Sequence, residues 1–421
     1  MFFNQFTYFR LVASLCLSLC FCGALPAQVP LTADRFATVD LGGEIKYEWR
    51  MGSAARALQS GLSSVAETIY RSLLEESDHL SSSELASLKI GLAKALIEQG
   101  RFVAARAQLD SVPQEFHKGQ YLLYLALSIY GEGDGRIDTE AFLAAFRKAS
   151  LADLKAEDLP WLAMLEGLAA ELEGKAEVAS AAYQRALELT DQPMLRSHFE
   201  GLIMRQKLLA SSTDEALVAE LRVKIDQLDG QAAAYPFVQE YAVGLYGLGR
   251  IGEAIDAIDR ELENTSAGYV SEEREQLGLL KGIILGANSE IGRVALKTLI
   301  LNGQGRETMG IALQLLARVP NQDVDLLNFL KVVLSRNEPH LLQGQMYYLR
   351  SQLAMKMAQQ GSLEERVGLM AIAESDARTL LDQFPGLSQI TNVYRLLAYA
   401  ALERQPAQYR AAADFLIQLR D

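Results

Sequence analysis

Small and large apolar residues recur at helical spacing through most of the chain, and a glycine stands between the helical stretches. In the clearest stretch, Gly167 precedes Gly174, and Ala179, Tyr183 and Ala186-Leu187 follow on the next helix. A glycine on a helix lets two backbones approach closely, and a glycine between helices permits a positive φ. The pattern therefore predicts pairs of antiparallel helices joined by short turns.

The same frame returns along the chain. Gly61, Gly100 and Gly249 fall at corresponding turns, so successive pairs are about 37 to 39 residues long once intermediate pairs are counted. A helix pair cannot bury both of its faces alone, so a repeat of this length indicates stacked pairs. The frame residues of three further pairs are Ala54, Ala57, Ala66, Tyr70 and Leu73; Ala93, Leu96, Phe102, Ala105 and Leu109; and Ala242, Leu245, Ala254 and Ile258.

This frame resembles the tetratricopeptide repeat, and the resemblance covers most of residues 45–421. It implies an all-α, right-handed superhelical solenoid of antiparallel helix pairs. It also implies that a peptide or a protein surface binds in a groove lined by the first helix of each pair. The large aromatic residue usual early in the first helix is missing from most pairs, and Trp161 lies near that place but out of frame.

The predicted organisation has five segments. They are a signal peptide at 1–27, a linker at 28–44, tetratricopeptide-like repeats at 45–270, degenerate helical repeats at 271–340 and C-terminal tetratricopeptide-like repeats at 341–421.

In the degenerate segment, Leu279 to Leu301 and Gly310 to Val319 each resemble a single helix that fits the frame loosely. The frame returns with Tyr348 and Ala354, around an insertion at Gly361-Ser362-Leu363. The degenerate segment at 271–340 is where we expect either a specialised role or a decay of the repeat.

The first 27 residues have the pattern of an export signal. A short N-terminal region ends at Arg10, an apolar stretch runs from Leu11 to Leu25, and Ala24 and Ala27 offer cleavage sites. The apolar stretch is short for a membrane span. The pattern predicts a periplasmic protein, with membrane association through an uncleaved leader as the alternative.

All three cysteines lie in this leader, so the mature chain is predicted to carry no thiol. Lipidation of Cys20 or Cys22 is a further alternative. It is disfavoured because Leu19 and Phe21 stand where a lipoprotein signal has a small residue.

The net charge and the candidate metal-ligating residues argue against several classes of function. The formal net charge is −13, and no cluster of Lys and Arg is evident, so we predict no nucleic-acid partner. The run from Tyr130 to Phe142 resembles a calcium loop, but Tyr130 and Ala141 occupy positions that need ligands. The histidines are scattered, without a companion at metal-ligand spacing. We therefore predict no metal, no cofactor and no catalytic residues, and hence no enzyme.

The first helices supply the predicted peptide-binding groove. The residue types that line this groove favour binding of an apolar or aromatic-containing segment over binding of a terminal carboxylate. Trp161 and Met164 fit the core between repeats equally well. The predicted groove residues are Trp161, Met164, Leu168, Gln239, Val243 and Tyr246.

The sequence predicts a non-catalytic exported scaffold that binds a protein or peptide partner in the cell envelope, in association with the outer membrane or an envelope complex. A carbohydrate or small-ligand receptor built on the same repeats is the alternative. An enzyme ranks third, because no catalytic module is evident. The identity of the partner, the groove face that binds it and the oligomeric state stay open.

Overall fold

The computed structural model describes residues 43–60, 62–76, 80–131, 138–211, 213–264, 269, 271–336, 339–387, 389–404 and 407–418. The predicted leader with its cysteines, most of the linker, Gly61 and the centre of the calcium-like loop lie outside these ranges. Within them the chain forms twenty α-helices and no strand, which confirms the all-α prediction. No helix in the described ranges is long and apolar enough to cross a membrane.

The chain divides into two compact units between Leu280 and Lys281. The helices before this division are α1 (Gly43–Gln59), α2 (Ser63–Glu75), α3 (Ser82–Ile97), α4 (Phe102–Asp110), α5 (Gln120–Gly131), α6 (Thr139–Ala149), α7 (Leu159–Leu172), α8 (Ala176–Glu188), α9 (Pro193–Ala210), α10 (Glu215–Gln227), α11 (Tyr235–Gly247) and α12 (Ile251–Glu263).

Helix α13 (Ser271–Leu285) contains the division itself. The helices after it are α14 (Glu290–Asn302), α15 (Arg306–Ala317), α16 (Asp323–Leu334), α17 (Gln343–Gln360), α18 (Leu363–Gln383), α19 (Ile390–Glu403) and α20 (Tyr409–Ile417).

Most consecutive helices pack against each other, as the predicted helix pairs require. We call the odd-numbered helix of each pair the first helix and the even-numbered one the second helix. In the unit before the division, α1 also contacts α3, α3 contacts α5, α5 contacts α7, and α9 contacts α11. In the unit after it, α17 contacts α19. First helices are therefore neighbours of first helices.

The turn between α7 and α8 shows why glycine recurs there. Gly174 has a φ of +75°, which side chains with a Cβ rarely adopt, and nothing lies within 4 Å of the place of a Cβ. The Lys175 N–H donates to the Ala170 carbonyl at 2.8 Å and closes the end of α7. Gly100 and Gly249 also have positive φ, and the residue after each makes the corresponding backbone bond.

The crossing of α7 and α8 depends on a second glycine. A Cβ at Gly167 would overlap the ring of Tyr183, so only glycine lets this ring pack against the backbone of α7. Ala179, on the same helix as the ring, is completely buried. The small and large residues of the frame are thus the two sides of one helix contact.

Aromatic rings also join neighbouring pairs. The ring of Tyr70, on α2, lies against Gly91 of the following first helix, and Phe102, on α4, lies against Gly131. These two rings fill the space between successive pairs, whereas Tyr183 packs within its own pair. One apolar core built from such contacts extends from Ala54 to Leu202.

The prediction of one helix from Leu279 to Leu301 is wrong. The chain turns at Gly286, which has a φ of +78°, and α14 begins only at Glu290. The Ser289 side chain accepts a hydrogen bond from the Gly292 N–H at 2.9 Å and caps α14. The segment therefore contains the end of α13, a turn and α14.

The predicted insertion at Gly361-Ser362-Leu363 is a tight turn. Ser362 caps α18 and exchanges hydrogen bonds with Glu365 in a capping box. The extra length lies in the helices themselves, because α17 has 18 residues and α18 has 21. This pair is a longer version of the repeating unit.

Candidate functional site

The three groove residues predicted on α7 lie in the core. Trp161, Met164 and Leu168 are all buried and belong to the main apolar cluster. The Trp161 ring meets Phe199 of α9 edge to face, with centroids 6.5 Å apart. This face of α7 packs on the next first helix, so the core interpretation describes these residues.

The three predicted residues on α11 divide differently. Gln239 is buried, and its Nε2 donates to the Tyr235 hydroxyl at 2.6 Å. That hydroxyl donates in turn to Gln276 Oε1 on α13. Val243 and Tyr246 are partly exposed. Of the six predicted groove residues, these two reach the surface.

A polar cluster occupies the junction between α7 and α9. One oxygen of Glu171, Oε1, accepts hydrogen bonds from the Tyr183 hydroxyl at 2.5 Å, from Gln206 Nε2 at 2.6 Å and from Arg205 Nη2. The Arg205 and Gln206 side chains come from α9, and Tyr183 comes from α8. Three helices of two successive pairs therefore converge on one carboxylate.

Burial at this junction shifts the pKa values of two side chains near the Glu171–Arg205 pair. Burial, with a further contribution from Arg205, lowers the pKa of His198 to about 4, so this histidine is neutral at pH 7. Burial raises the pKa of Glu240 on α11 to about 7, although Arg205 opposes the shift. Glu171 adds to it. The junction thus holds one carboxylate that changes charge near neutral pH.

A second polar cluster lies where α3, α5 and the start of α7 meet. Asp158 is completely buried and accepts from Gln120 Nε2 at 2.6 Å and from the Tyr124 hydroxyl at 2.9 Å. The Lys94 ammonium lies 3.6 Å from the same carboxylate. Burial raises the pKa of Glu98 to about 7 against the effect of Lys94. In both clusters a carboxylate joins neighbouring first helices; Asp158 is fully buried, whereas the Glu171 side chain is 19% exposed.

These clusters fix the spacing of neighbouring pairs. A buried carboxylate is costly unless donors satisfy it, and here donors from two helices do so. The geometry therefore supports a positioning role for Asp158 and Glu171.

Sequence reasoning did not identify either cluster. A signal was present for Glu171, which stands three residues before its turn glycine. The apolar or aromatic residues Ile97 and Tyr246 hold that place in two other pairs. A lone carboxylate at a position of the frame that is elsewhere apolar or aromatic indicates a buried polar junction.

The histidines lie in several environments. His117 stacks on Tyr121 with ring centroids 4.0 Å apart, His198 is buried, and His340 Nε2 lies 2.9 Å from the Ile300 carbonyl. Among the described residues, no group of three or more His, Cys, Asp and Glu side chains is arranged to hold a metal ion.

The first helices after the division carry a polar cluster at the surface. The Tyr348 hydroxyl on α17 accepts from Gln352 Nε2 at 2.8 Å and from Asn392 Nδ2 of α19 at 3.3 Å. Arg395 Nη1 donates to Asn392 Oδ1 at 3.1 Å. We call these four residues the tyrosine–amide patch. Tyr348 is partly exposed and the other three are exposed.

No protein-family model matches the chain, and no curated protein matches it. The helical pairs are a property of the structure, whereas membership of a repeat family stays a proposal.

Proposed function

We propose that the protein is an exported, non-catalytic scaffold of the tetratricopeptide type that binds a protein or peptide partner in the cell envelope. Its helix pairs would stack into a right-handed superhelical solenoid. The repeated glycine turns at Gly100, Gly174 and Gly249 support the repeat type. The apolar leader pattern of residues 1–27 supports export.

The observation that carries this proposal is the contact of first helices with first helices. These contacts run from α1 through α3 and α5 to α7, and from α9 to α11. The Glu171–Arg205 pair joins α7 to α9. A row of this kind presents one side of the helix pairs from α1 to α12 on a continuous surface, which suits an extended partner.

The proposal of a non-catalytic role rests on what the polar clusters do. Asp158 and Glu171 are held by donors from neighbouring helices, so they join helix pairs rather than face a substrate. Binding without turnover is the function that such an arrangement supports.

In-cell crosslinking tests this function. A photoreactive residue replaces Tyr246, which is partly exposed on the first helix α11, and captured proteins are identified by mass spectrometry. The control places the same group at Val178, which is 46% exposed on the second helix α8. We expect one envelope protein to be captured from position 246 and not from position 178.

Two results would overturn the scaffold proposal. The first is the absence of any protein captured above background from either position. The second is a glycan that raises the melting temperature saturably while no protein is captured, because a ligand stabilises the state that it binds. That second result would favour the carbohydrate receptor.

A fractionation experiment tests export by itself. We expect the full chain to reach the periplasm in a shortened form that begins after Ala24 or Ala27. A chain that keeps residues 1–27 and stays in the membrane fraction would support the uncleaved anchor instead.

A further inference from the structure

The tyrosine–amide patch stands out because its polar groups are exposed, whereas the clusters at Asp158 and Glu171 join helices inside the fold. Tyr348 and Gln352 are four residues apart on α17, and Asn392 and Arg395 are three apart on α19. These spacings put each pair of side chains on one face of its helix. The patch therefore spans two neighbouring first helices.

The patch has unused hydrogen-bonding groups of both kinds. The Tyr348 hydroxyl accepts two bonds, and its own hydrogen donates to no residue in the described part of the chain. Gln352 Oε1 accepts no bond from the described residues, and Asn392 Nδ2 has a second hydrogen. Donors and acceptors on one surface match a peptide main chain, which offers one of each per residue.

Charge identifies a further property of the occupant. Helix α17 contains no Asp or Glu, and the single carboxylate of α19, Glu403, is paired with Arg366. The second helix α18 between them carries five acidic residues. In a chain with a net charge of −13, these two first helices form a face that is poor in negative charge.

In the part of the chain that the structure describes, Arg395 is the cation of this face that has no carboxylate partner. Arg350 is paired with Asp376, and Lys356 is paired with Asp323. Among the described residues, no carboxylate lies within ion-pair distance of Arg395, whose guanidinium donates to the Asn392 amide oxygen. A guanidinium with free N–H groups is well suited to a carboxylate ligand.

We propose that the tyrosine–amide patch binds an extended peptide segment that carries an acidic side chain. The peptide main chain bonds with Tyr348, Gln352 and Asn392, and the Asp or Glu side chain of the peptide bonds with Arg395. This inference rests on the proposed scaffold function and specifies the chemistry of the partner at one place.

The test uses the full mature chain and an array of random-sequence dodecapeptides, each present in two versions with Glu or Gln at the centre. The strongest pairs are then measured by fluorescence anisotropy. We expect the Glu versions to bind at least about tenfold more tightly, as a charged hydrogen bond contributes roughly 1.5–3 kcal/mol. R395A should remove the difference between the two versions.

Further variants separate the two halves of the patch. Y348F should weaken the Glu and Gln versions by the same factor, because the Tyr348 hydroxyl bonds with the peptide main chain. N392A should weaken the Glu version more, because the Asn392 amide oxygen also accepts from Arg395. Arg378 is exposed on α18 and paired with Glu374, so R378A is the matched control and should change neither affinity. Circular dichroism of each variant checks that the helices are retained.

Equal binding of the Glu and Gln versions by the wild-type chain, or a preference that survives R395A, would show that the patch does not read an acidic side chain. In that case the scaffold function stands if crosslinking from position 246 still captures a protein. Loss of binding to an oligosaccharide in N392A and R395A, without any peptide binding, would contradict the inference and favour a receptor. If neither peptides nor proteins bind, both proposals fail.

Discussion

Two ion pairs in this protein join helices in different ways. Glu171 and Arg205 connect α7 with α9, so they link one helix pair to the next. Arg350 and Asp376 connect α17 with α18, so they hold a single pair together. The burial of the partners is reversed, since the Arg205 and Glu171 side chains are 5% and 19% exposed, and those of Arg350 and Asp376 are 17% and 2% exposed.

This difference in burial determines how strongly each carboxylate depends on its arginine for hydrogen bonds. Asp376 receives two bonds from Arg350, Nε at 2.7 Å and Nη2 at 2.6 Å, one to each oxygen. Glu171 is wetter and keeps two further donors, Tyr183 and Gln206. If Arg350 is removed, Asp376 is therefore left as a buried charge without a partner. If Arg205 is removed, Glu171 still accepts hydrogen bonds from its other donors.

The largest effect is expected from R350M. It leaves Asp376 buried without a cation, and removing one partner of a buried pair costs roughly 3–5 kcal/mol. The readout is the free energy of local opening of α17 and α18, measured by native-state hydrogen exchange, because a chain of stacked pairs need not unfold in two states.

The pH dependence of R350M provides the control. Burial already raises the pKa of Asp376 above its ordinary value, and Arg350 opposes that rise. Without Arg350 the folded-state pKa is higher still, so stability is present at low pH and is lost as the pH rises through that pKa. The defect should shrink at pH 4 and in the double variant R350M/D376N. An equal defect at pH 4 and pH 8 would contradict a stranded carboxylate.

A smaller effect is expected from R205M, which removes the ion pair with Glu171 between α7 and α9. Glu171 keeps Tyr183, Gln206 and some water, so the expected loss is about 2 kcal/mol. Hydrogen exchange should accelerate on both sides of the junction, in α7 and in α9, because the pair joins successive helix pairs. Faster exchange confined to α9 would show that the contact is local and would remove the contrast with Arg350.

The repeating part of this architecture was predictable, and the junctions were not. The turn at Gly174 and the contact of Gly167 with Tyr183 follow from sterics that act between near neighbours in sequence. The contact of Glu171 with Arg205 joins residues 34 positions apart and depends on how far α9 is rotated about its axis. Helical periodicity gives the spacing of a face but not its exact direction.

The same limit explains the predicted groove. Trp161, Met164 and Leu168 share a face of α7, as their spacing requires, but that face packs on α9. On α11 the corresponding face buries Gln239 and leaves Tyr246 partly exposed. A rotation of one residue, about 100°, separates a groove residue from a core residue, and the sequence pattern does not resolve it.

The smallest effect is expected from E240Q, which tests the titrating carboxylate beside the Glu171–Arg205 pair. Burial raises the pKa of Glu240 to about 7, above the value of 4.5 expected when the chain is unfolded. Stability from this group is fully present below pH 4.5 and is lost as the pH rises towards 7. Because Glu240 is partly exposed and water screens its charge, we expect a loss of only about 1 kcal/mol between pH 5 and 8 in the wild type.

E240Q should lack that loss. The free energy of opening of α11 should therefore increase in the variant, relative to the wild type, as the pH rises. Glu98 titrates in the same range as Glu240. The contribution of His198 to stability changes in the opposite direction, since it rises between about pH 4 and 6.5. The quantity to follow is therefore the difference between variant and wild type. E98Q is the matched control, because its carboxylate lies in the other cluster, and it should leave the exchange of α11 unchanged. A constant difference from pH 5 to 8 would mean that Glu240 ionises as an ordinary surface carboxylate, and the junction beside Arg205 would then carry no proton-linked charge.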